Sequence, residues 1–305
     1  MAHRRLSDVL AWAGDTGAAL THCETSQRVF ATVAAHREAT VEDRLQVAVA
    51  ELKIGDLLGN PNLPNLRRPD EARANYDLSL ASLRGLAAAA PDNPRVLRYL
   101  GLVLERLGTI DEVGHDWKAA AVVYQESFEI RKNLAATSPE QQEVQRDLAI
   151  AYEKLGNVQL ALGRTAAAEA SYRGALGEFE RLAKADPSNV VAARSVAISR
   201  EKVAGTLAAQ GHQASAVSVL ESALLTHQRL ATLDPANAQA RCDVARLQEM
   251  IGDAWTPHAV AAAETAACTY WRLSLSSRQQ LAASRVTCVT GEDAARLVAK
   301  LRLCD

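Results

Sequence analysis

Aromatic residues are scarce in this chain: 3 Phe, 4 Trp and 6 Tyr make up 4% of 305 residues. A core this poor in large rings must be built from aliphatic and small side chains, and closely packed helices rich in alanine suit that supply. A dominant charge sign is also lacking, since 34 basic residues face 36 acidic ones for a formal net charge of −2. That balance removes the electrostatic case for nucleic acid or a membrane surface. No run of about 18 apolar residues occurs, so no transmembrane helix and no membrane insertion by this chain is expected. The opening MAHRRLSDVLAWAGD reaches Asp8 and Asp15 without an apolar stretch and does not read as a signal peptide. Five cysteines (Cys23, Cys242, Cys268, Cys288, Cys304) are scattered with no C-x-x-C pair. That spacing argues against zinc or a thioredoxin-like motif. They read as free thiols in a reducing compartment, which implies the cytoplasm, with a Cys268–Cys304 disulfide as the alternative in an exported chain.

Catalytic patterns are missing as well. The seven histidines (His3, His22, His36, His115, His212, His227, His258) show no H-E-x-x-H or other metal spacing, and neither G-x-S-x-G nor a P-loop occurs. No catalytic, cofactor-binding or metal-ligating residue is assigned, no cofactor is expected, and the chain reads as a non-enzyme.

What is present is a period of 48 residues. Pro91, Pro139, Pro187 and Pro235 keep that step, as do Leu86, Leu134, Leu182 and Leu230, and Glu105, Glu153, Glu201 and Glu249. Self-similarity at 20–50 residues marks one supersecondary unit stacked on copies of itself. The copy from Ser138 to Asp186 reads as two helices. In the first, Ser138 is the expected N-cap and Pro139 the first helical residue, with Val144, Leu148, Leu155, Val158 and Leu162 on one face and Gly163 at the end. In the second, Thr165 is the expected N-cap, and Ala168, Tyr172, Leu176, Phe179 and Leu182 form the buried stripe. Glycine or alanine recurs on the first helix at Gly55, Gly108, Gly156, Ala204 and Gly252, where a missing side chain lets the second helix cross closely.

The expected division is a degenerate N-terminal helix pair over 1–40, with Gly14-Asp15 in the place of Gly55-Asp56. Five repeats follow over 41–91, 92–138, 139–186, 187–234 and 235–286, then a capping helix over 287–305. Insertions fall at 59–70 and near 255–258. The fold class is all-α, a right-handed α-α superhelix of stacked helix pairs.

The pattern resembles the tetratricopeptide repeat. Its small residue on the first helix stands here at Gly108, Gly156 and Gly252, and its alanine, aromatic and proline positions at Ala168, Tyr172 and Pro187. The departure is length, 48 residues against the family's 34. The string RDLAIAYEKLGNVQLALGRTAAAEASYRGALGEFERLAKADPSN further resembles long repeats in the C-terminal region of certain large bacterial serine/threonine protein kinases. The HRD and DFG motifs of such kinases are missing here, so no kinase activity carries over to any residue. The resemblance implies a protein-binding scaffold. The alternative is the regulatory part of a kinase whose catalytic domain lies on another segment, with a periplasmic setting if that part is exported.

In tetratricopeptide arrays the first helices line a groove for a protein or an extended peptide. Two rows at exposed positions are expected to line it here: a basic row, Arg98, Arg146 and Arg194, and an acidic row, Glu105, Glu153, Glu201 and Glu249, with Asn157 beside them. Within a repeat, Arg and Glu are seven apart and so share a helix face. The competing reading is that these charges pair with neighbours such as Arg106, Lys154 and Lys202. The family's peptide-carboxylate clamp places basic residues where Glu105, Glu153 and Glu201 stand, so a chaperone C-terminus is not the expected ligand. The oligomeric state is left open.

Overall fold

Turn chemistry sets where each helix begins. The computed structural model describes residues 2–255, 261–284, 286, 288 and 290–304, and every regular element among them is an α-helix. The chain divides into two units, 1–163 and 164–305. The first holds α1 (Ala2–Trp12), α2 (Thr16–Ala34), α3 (Val41–Gly59), α4 (Pro69–Ala89), α5 (Pro94–Val113), α6 (Trp117–Thr137) and α7 (Gln142–Ala161). The second holds α8 (Thr165–Ala185), α9 (Val190–Ala209), α10 (Gln213–Leu233), α11 (Ala238–Trp255), α12 (Ala261–Ala283) and α13 (Gly291–Leu301). Within each unit, successive helices joined by short turns pack on one another, which makes them antiparallel neighbours. The fold class is the all-α, tetratricopeptide-like one expected.

Asparagine, rather than the periodic proline, opens the first helix of a pair. Asn93 caps α5 through the backbone N–H groups of Arg95 and Val96, Asn189 caps α9 through Ala192, and Asn237 accepts from Ala240 N at 3.0 Å. In α7 the matching residue is Gln141, which makes no side-chain cap bond. The expected Ser138-Pro139 start is therefore corrected: Ser138 ends α6 and Pro139 lies in the turn. Thr165 is likewise the first residue of α8 rather than its cap. Aspartate does that work in α2 and α6, where Asp15 and Asp116 accept from Ala18 N and Ala119 N. Gly14-Asp15 is thus a turn, with Gly14 at φ +86, whereas Gly55-Asp56 lies inside α3. Gly163 takes the left-handed conformation (φ +74) just past α7.

The expected loop between the helices of one pair spans residues 60–68 and is held by its asparagines. Asn65 Nδ2 donates to the carbonyls of Asn60 (2.8 Å) and Leu63 (2.9 Å), while its oxygen accepts from Arg67 N at 2.7 Å. The second expected insertion, near 255–258, lies outside the described residues beyond Trp255.

Close approach within a pair is governed by glycine against a ring. A methyl group placed on Gly55, Gly108 or Gly252 would lie 2.5 Å from Tyr76, Tyr124 or Trp271 respectively. The ring crosses the glycine and its polar tip reaches a carboxylate. Tyr76 Oη donates to Asp56 at 2.8 Å, Tyr124 Oη to Glu112 at 2.7 Å, and Trp271 Nε1 to Asp253 at 2.9 Å. Around these contacts the cores are aliphatic. Leu45, Leu83, Val96 and Leu104 are fully buried in the first unit, and Leu247, Ile251 and Leu297 in the second. Each such side chain contributes on the order of 1.5–3 kcal/mol by leaving water.

Candidate functional site

The first helix of each pair is the expected binding element, and its charged residues fall into a sunken set and a raised set. In the first unit, Glu105 on α5 is buried, with 7% of its surface exposed. Its carboxylate takes Arg131 Nη2 from α6 at 2.7 Å and Arg106 Nη1 at 2.9 Å. Burial opposes its ionisation, but the Arg131 and Arg106 guanidiniums outweigh that and hold the carboxyl below its ordinary range. Arg106 also reaches Asp56 at 2.9 Å, and Lys154 reaches Glu112 at 3.1 Å.

The raised set in this unit is basic. Arg98 is 42% exposed and binds Asp147 at 2.6 Å and Glu143 at 2.5 Å from α7. Arg146 is exposed and forms no ion pair among the described residues. Glu153 and Asn157 are half-buried on α7.

The second unit repeats the arrangement with a histidine. Glu201 on α9 is 8% exposed. It lies 3.2 Å from Nε2 of the fully buried His227 on α10 and also binds Arg246 of α11. Burial again works against the charge, and His227 and Arg246 hold the carboxyl below its usual range. The other ring nitrogen of His227 is 3.6 Å from Asp243, which also takes Arg194 at 3.1 Å. On α11, Glu249 is 6% exposed and accepts from Arg278 (2.9 Å), Arg296 (2.8 Å) and Lys300 (2.8 Å). Burial would raise its carboxyl, yet Arg296 and Lys300 bring it down to about 2. A cavity of about 610 Å³ opens here, lined by Asp243, Arg246, Glu249, Asp253, Arg296 and Lys300 among others.

One expectation is corrected by this geometry. Glu105, Glu201 and Glu249 are buried and bonded rather than exposed, because the second helix of their own pair aims an Arg or His side chain at them. Those side chains are Arg131, His227 and Arg278, which no sequence motif marks. A signal was there: Glu105 and Glu201 each precede their partner by 26 residues. Glu249 precedes Arg278 by 29. The competing reading that neighbours neutralise the acidic row holds at Arg106, and Lys202 Nζ sits 5.5 Å from the Tyr172 ring centroid.

The cysteine reading is corrected too. Four of the five cysteines pair, as Cys242–Cys288 with Cα atoms 6.3 Å apart and Cys268–Cys304 at 5.9 Å. Cys23 is the free and buried one, its thiol pushed up to about 11 by burial. Among the described residues, no group of three or more His, Cys, Asp or Glu could hold a metal ion, and no helix is long and apolar enough to cross a membrane.

No family model matches the chain, and no curated protein matches its sequence. Solved structures do match in fold. The nuclear import adaptor Nro1 of S. pombe is 13% identical at a TM-score of 0.64, covering 100% of this chain and 97% of Nro1. BtubC (BKLC) from P. vanneervenii is 18% identical at a TM-score of 0.55, covering 76% and 81%. The signal-transduction ATPase PH0952 from Pyrococcus horikoshii, which carries a tetratricopeptide repeat sensor, is 11% identical at 0.53, covering 99% of this chain and 41% of that one. At these identities the likeness establishes the fold, that of tetratricopeptide-like helical repeats.

Proposed function

We propose that this protein is a non-enzymatic interaction scaffold whose first-helix faces take an extended segment of a protein partner, and that this segment is rich in carboxylates. The observation that carries the reading is the unequal exposure of the two charged rows. The acids Glu105, Glu201 and Glu249 are sunk and satisfied, while Arg98, Arg194 and Arg246 stay about two-fifths exposed. Arg98 Nη2 and Arg194 Nη1 make no bond among the described residues, and Arg146 is open altogether. A surface with spare guanidinium donors favours an acceptor-rich partner, and guanidinium groups pair best with carboxylates. Two exposed rows of opposite sign would suit a peptide of mixed charge, whereas one sunken acidic row favours an acidic one. The role of Nro1 as a nuclear import adaptor is consistent with a scaffold of this fold.

Panels of acidic, basic and alternating-charge peptides of about 12 residues, tested for binding to the full chain, check the reading. Acidic peptides should bind, and Arg98→Glu with Arg146→Glu in one unit, or Arg194→Glu with Arg246→Glu in the other, should weaken that binding about tenfold or more. Equal binding of basic peptides, or acidic binding unaffected by both double variants, refutes it. Reversing Glu153 and Glu201 to Lys gives a further check, because inserting Lys at the sunken Glu201 should damage the fold as well as binding.

The kinase-associated reading rests on the repeat string from Arg146 to Asn189 and is a second proposal: the scaffold would be the sensor or recruitment arm of a serine/threonine kinase. In-frame HRD and DFG motifs encoded upstream of Met1 would support it, and an unrelated upstream gene would count against it.

A further inference from the structure

The four paired cysteines all lie between residues 242 and 304, and both pairs converge on one short helix. Cys288 stands three residues before the first residue of α13 and Cys304 three residues after its last. One bond runs to Cys242 on α11 and the other to Cys268 on α12. The helix is therefore fastened at both ends, and to a different element at each.

Little else secures it. At 11 residues, α13 is too short to be stable alone in water. Leu297 is its one buried residue, set in a small cluster with Ala267 and Trp271. Leu301 packs against the same cluster, and the remaining hold is polar. Arg296 and Lys300, one turn apart, reach Glu249 and Asp253, one turn apart on α11. Arg296 is half-exposed, so its pairing is open to screening by salt. By this contact α13 closes over the charged cavity of the second unit, and Cys242 and Cys288 form part of the cavity wall.

We propose that the two cystines are an oxidative latch, which keeps α13 as a lid over the α11 face and places this part of the chain in an oxidising compartment. Closing the latch converts four thiols to two disulfides. Four electrons and four protons pass to disulfide-bearing oxidants, whose own disulfides become dithiols. A dithiol reductant reverses the step, giving two electrons and two protons to each cystine. Cys288 is exposed and Cys242 partly so, whereas Cys268 is buried, so the bond in the cavity wall is the first to be reduced. With both bonds open, α13 leaves. Glu249 then keeps Arg278 alone, Asp253 loses Lys300, and the Trp271 side chain loses its cover.

The test uses the full chain, recovered from an oxidising compartment and alkylated without reductant. Mass spectrometry should find the four cysteines from 242 onward protected. Amide exchange should then show α13 protected, and reduction with dithiothreitol should cost α13 about tenfold or more of its protection while α3 to α10 keep theirs. The variant Cys288→Ser with Cys304→Ser should show the same loss without reductant. Free alkylation of all four thiols in the recovered chain overturns the proposal. So does an α13 that stays protected with both bonds broken, or a loss of protection spread over α3 to α10.

Discussion

The buried pair of Glu105 and Arg131 allows a quantitative test of how the repeats are held. Replacing Arg131 with Met removes a cation that is 3% exposed and lies 2.7 Å from the carboxylate. Breaking a buried pair from one side costs about 3–5 kcal/mol, because the remaining charge stays out of water. Here Arg106 stays at 2.9 Å, partly exposed, so the electrostatic loss falls to about 2 kcal/mol. The Asp147 carbonyl also loses its bond to Arg131 Nη1 (3.0 Å), which adds about 1 kcal/mol. The expected total is about 3 kcal/mol at pH 7.

Replacing Glu105 with Leu in the same molecule should recover most of that. The molecule already contains the apolar version of this pair: Leu52 on α3 and Leu83 on α4, at the matching positions, are 3% and 0% exposed. The double variant should therefore lie within about 1 kcal/mol of the parent. Acid gives an independent check on sign. The carboxyl of Glu105 is held below its ordinary range, so its stabilisation is complete above the unfolded value of about 4.3 and is lost as pH falls. The parent and Arg131→Met curves should converge toward low pH. Urea unfolding, with amide exchange in α5 and α6 as the local readout, measures all three quantities. A single-variant cost below about 1 kcal/mol, or a double variant as unstable as the single, refutes the reasoning.

Other expectations follow from the same contacts. Gly108→Ala should destabilise by about 1–3 kcal/mol through collision with Tyr124, whereas Gly177→Ala, with nothing within 4 Å, should stabilise α8 by about 0.5–1 kcal/mol; thermal unfolding of both tests the contrast. The Glu249 carboxyl, brought to about 2, stabilises the docking of α13 above the unfolded value of about 4.3, so that contribution should fade between there and about pH 2, followed by amide exchange in α13. Thr40→Ala removes one half of the capping box with Asp43 and should cost about 0.5–2 kcal/mol, seen as faster exchange in the first turn of α3.

The helix pairs and their apolar stripes were legible because a 48-residue step repeats the same small, aromatic and aliphatic positions. Gly108 and Tyr124, or Gly252 and Trp271, could be paired by position alone. The burial of the acidic row was not legible, since amphipathic reasoning assigns a charge to solvent unless its partner is known. That partner lies 26 residues on, within a stripe where the matching positions, Leu83 and Phe179, are apolar. Helix starts were misplaced for a local reason. Ser138-Pro139 carries the residues of a helix start, but the capping position belongs to the asparagine row represented there by Gln141. The cystines span 46 and 36 residues, and nothing in such separations distinguishes a bonded pair from two thiols.

The ion pairs between successive first helices also say which stretch of the gene can be copied or removed as a block. Arg98 meets Asp147 and Arg194 meets Asp243, so this contact recurs after 96 residues rather than 48. For the intervening Arg146, the residue at the corresponding place is an uncharged serine, Ser195. Arg131 and His227, which bond Glu105 and Glu201, keep the same double step. Duplication of one repeat would set an arginine against serine and an acid beside a phenylalanine position. Duplication of two would carry donor and acceptor together. For these contacts the block that copies without unpairing a charge is two repeats long, while Glu249 and Arg278, one repeat after Glu201 and His227, fall outside that step.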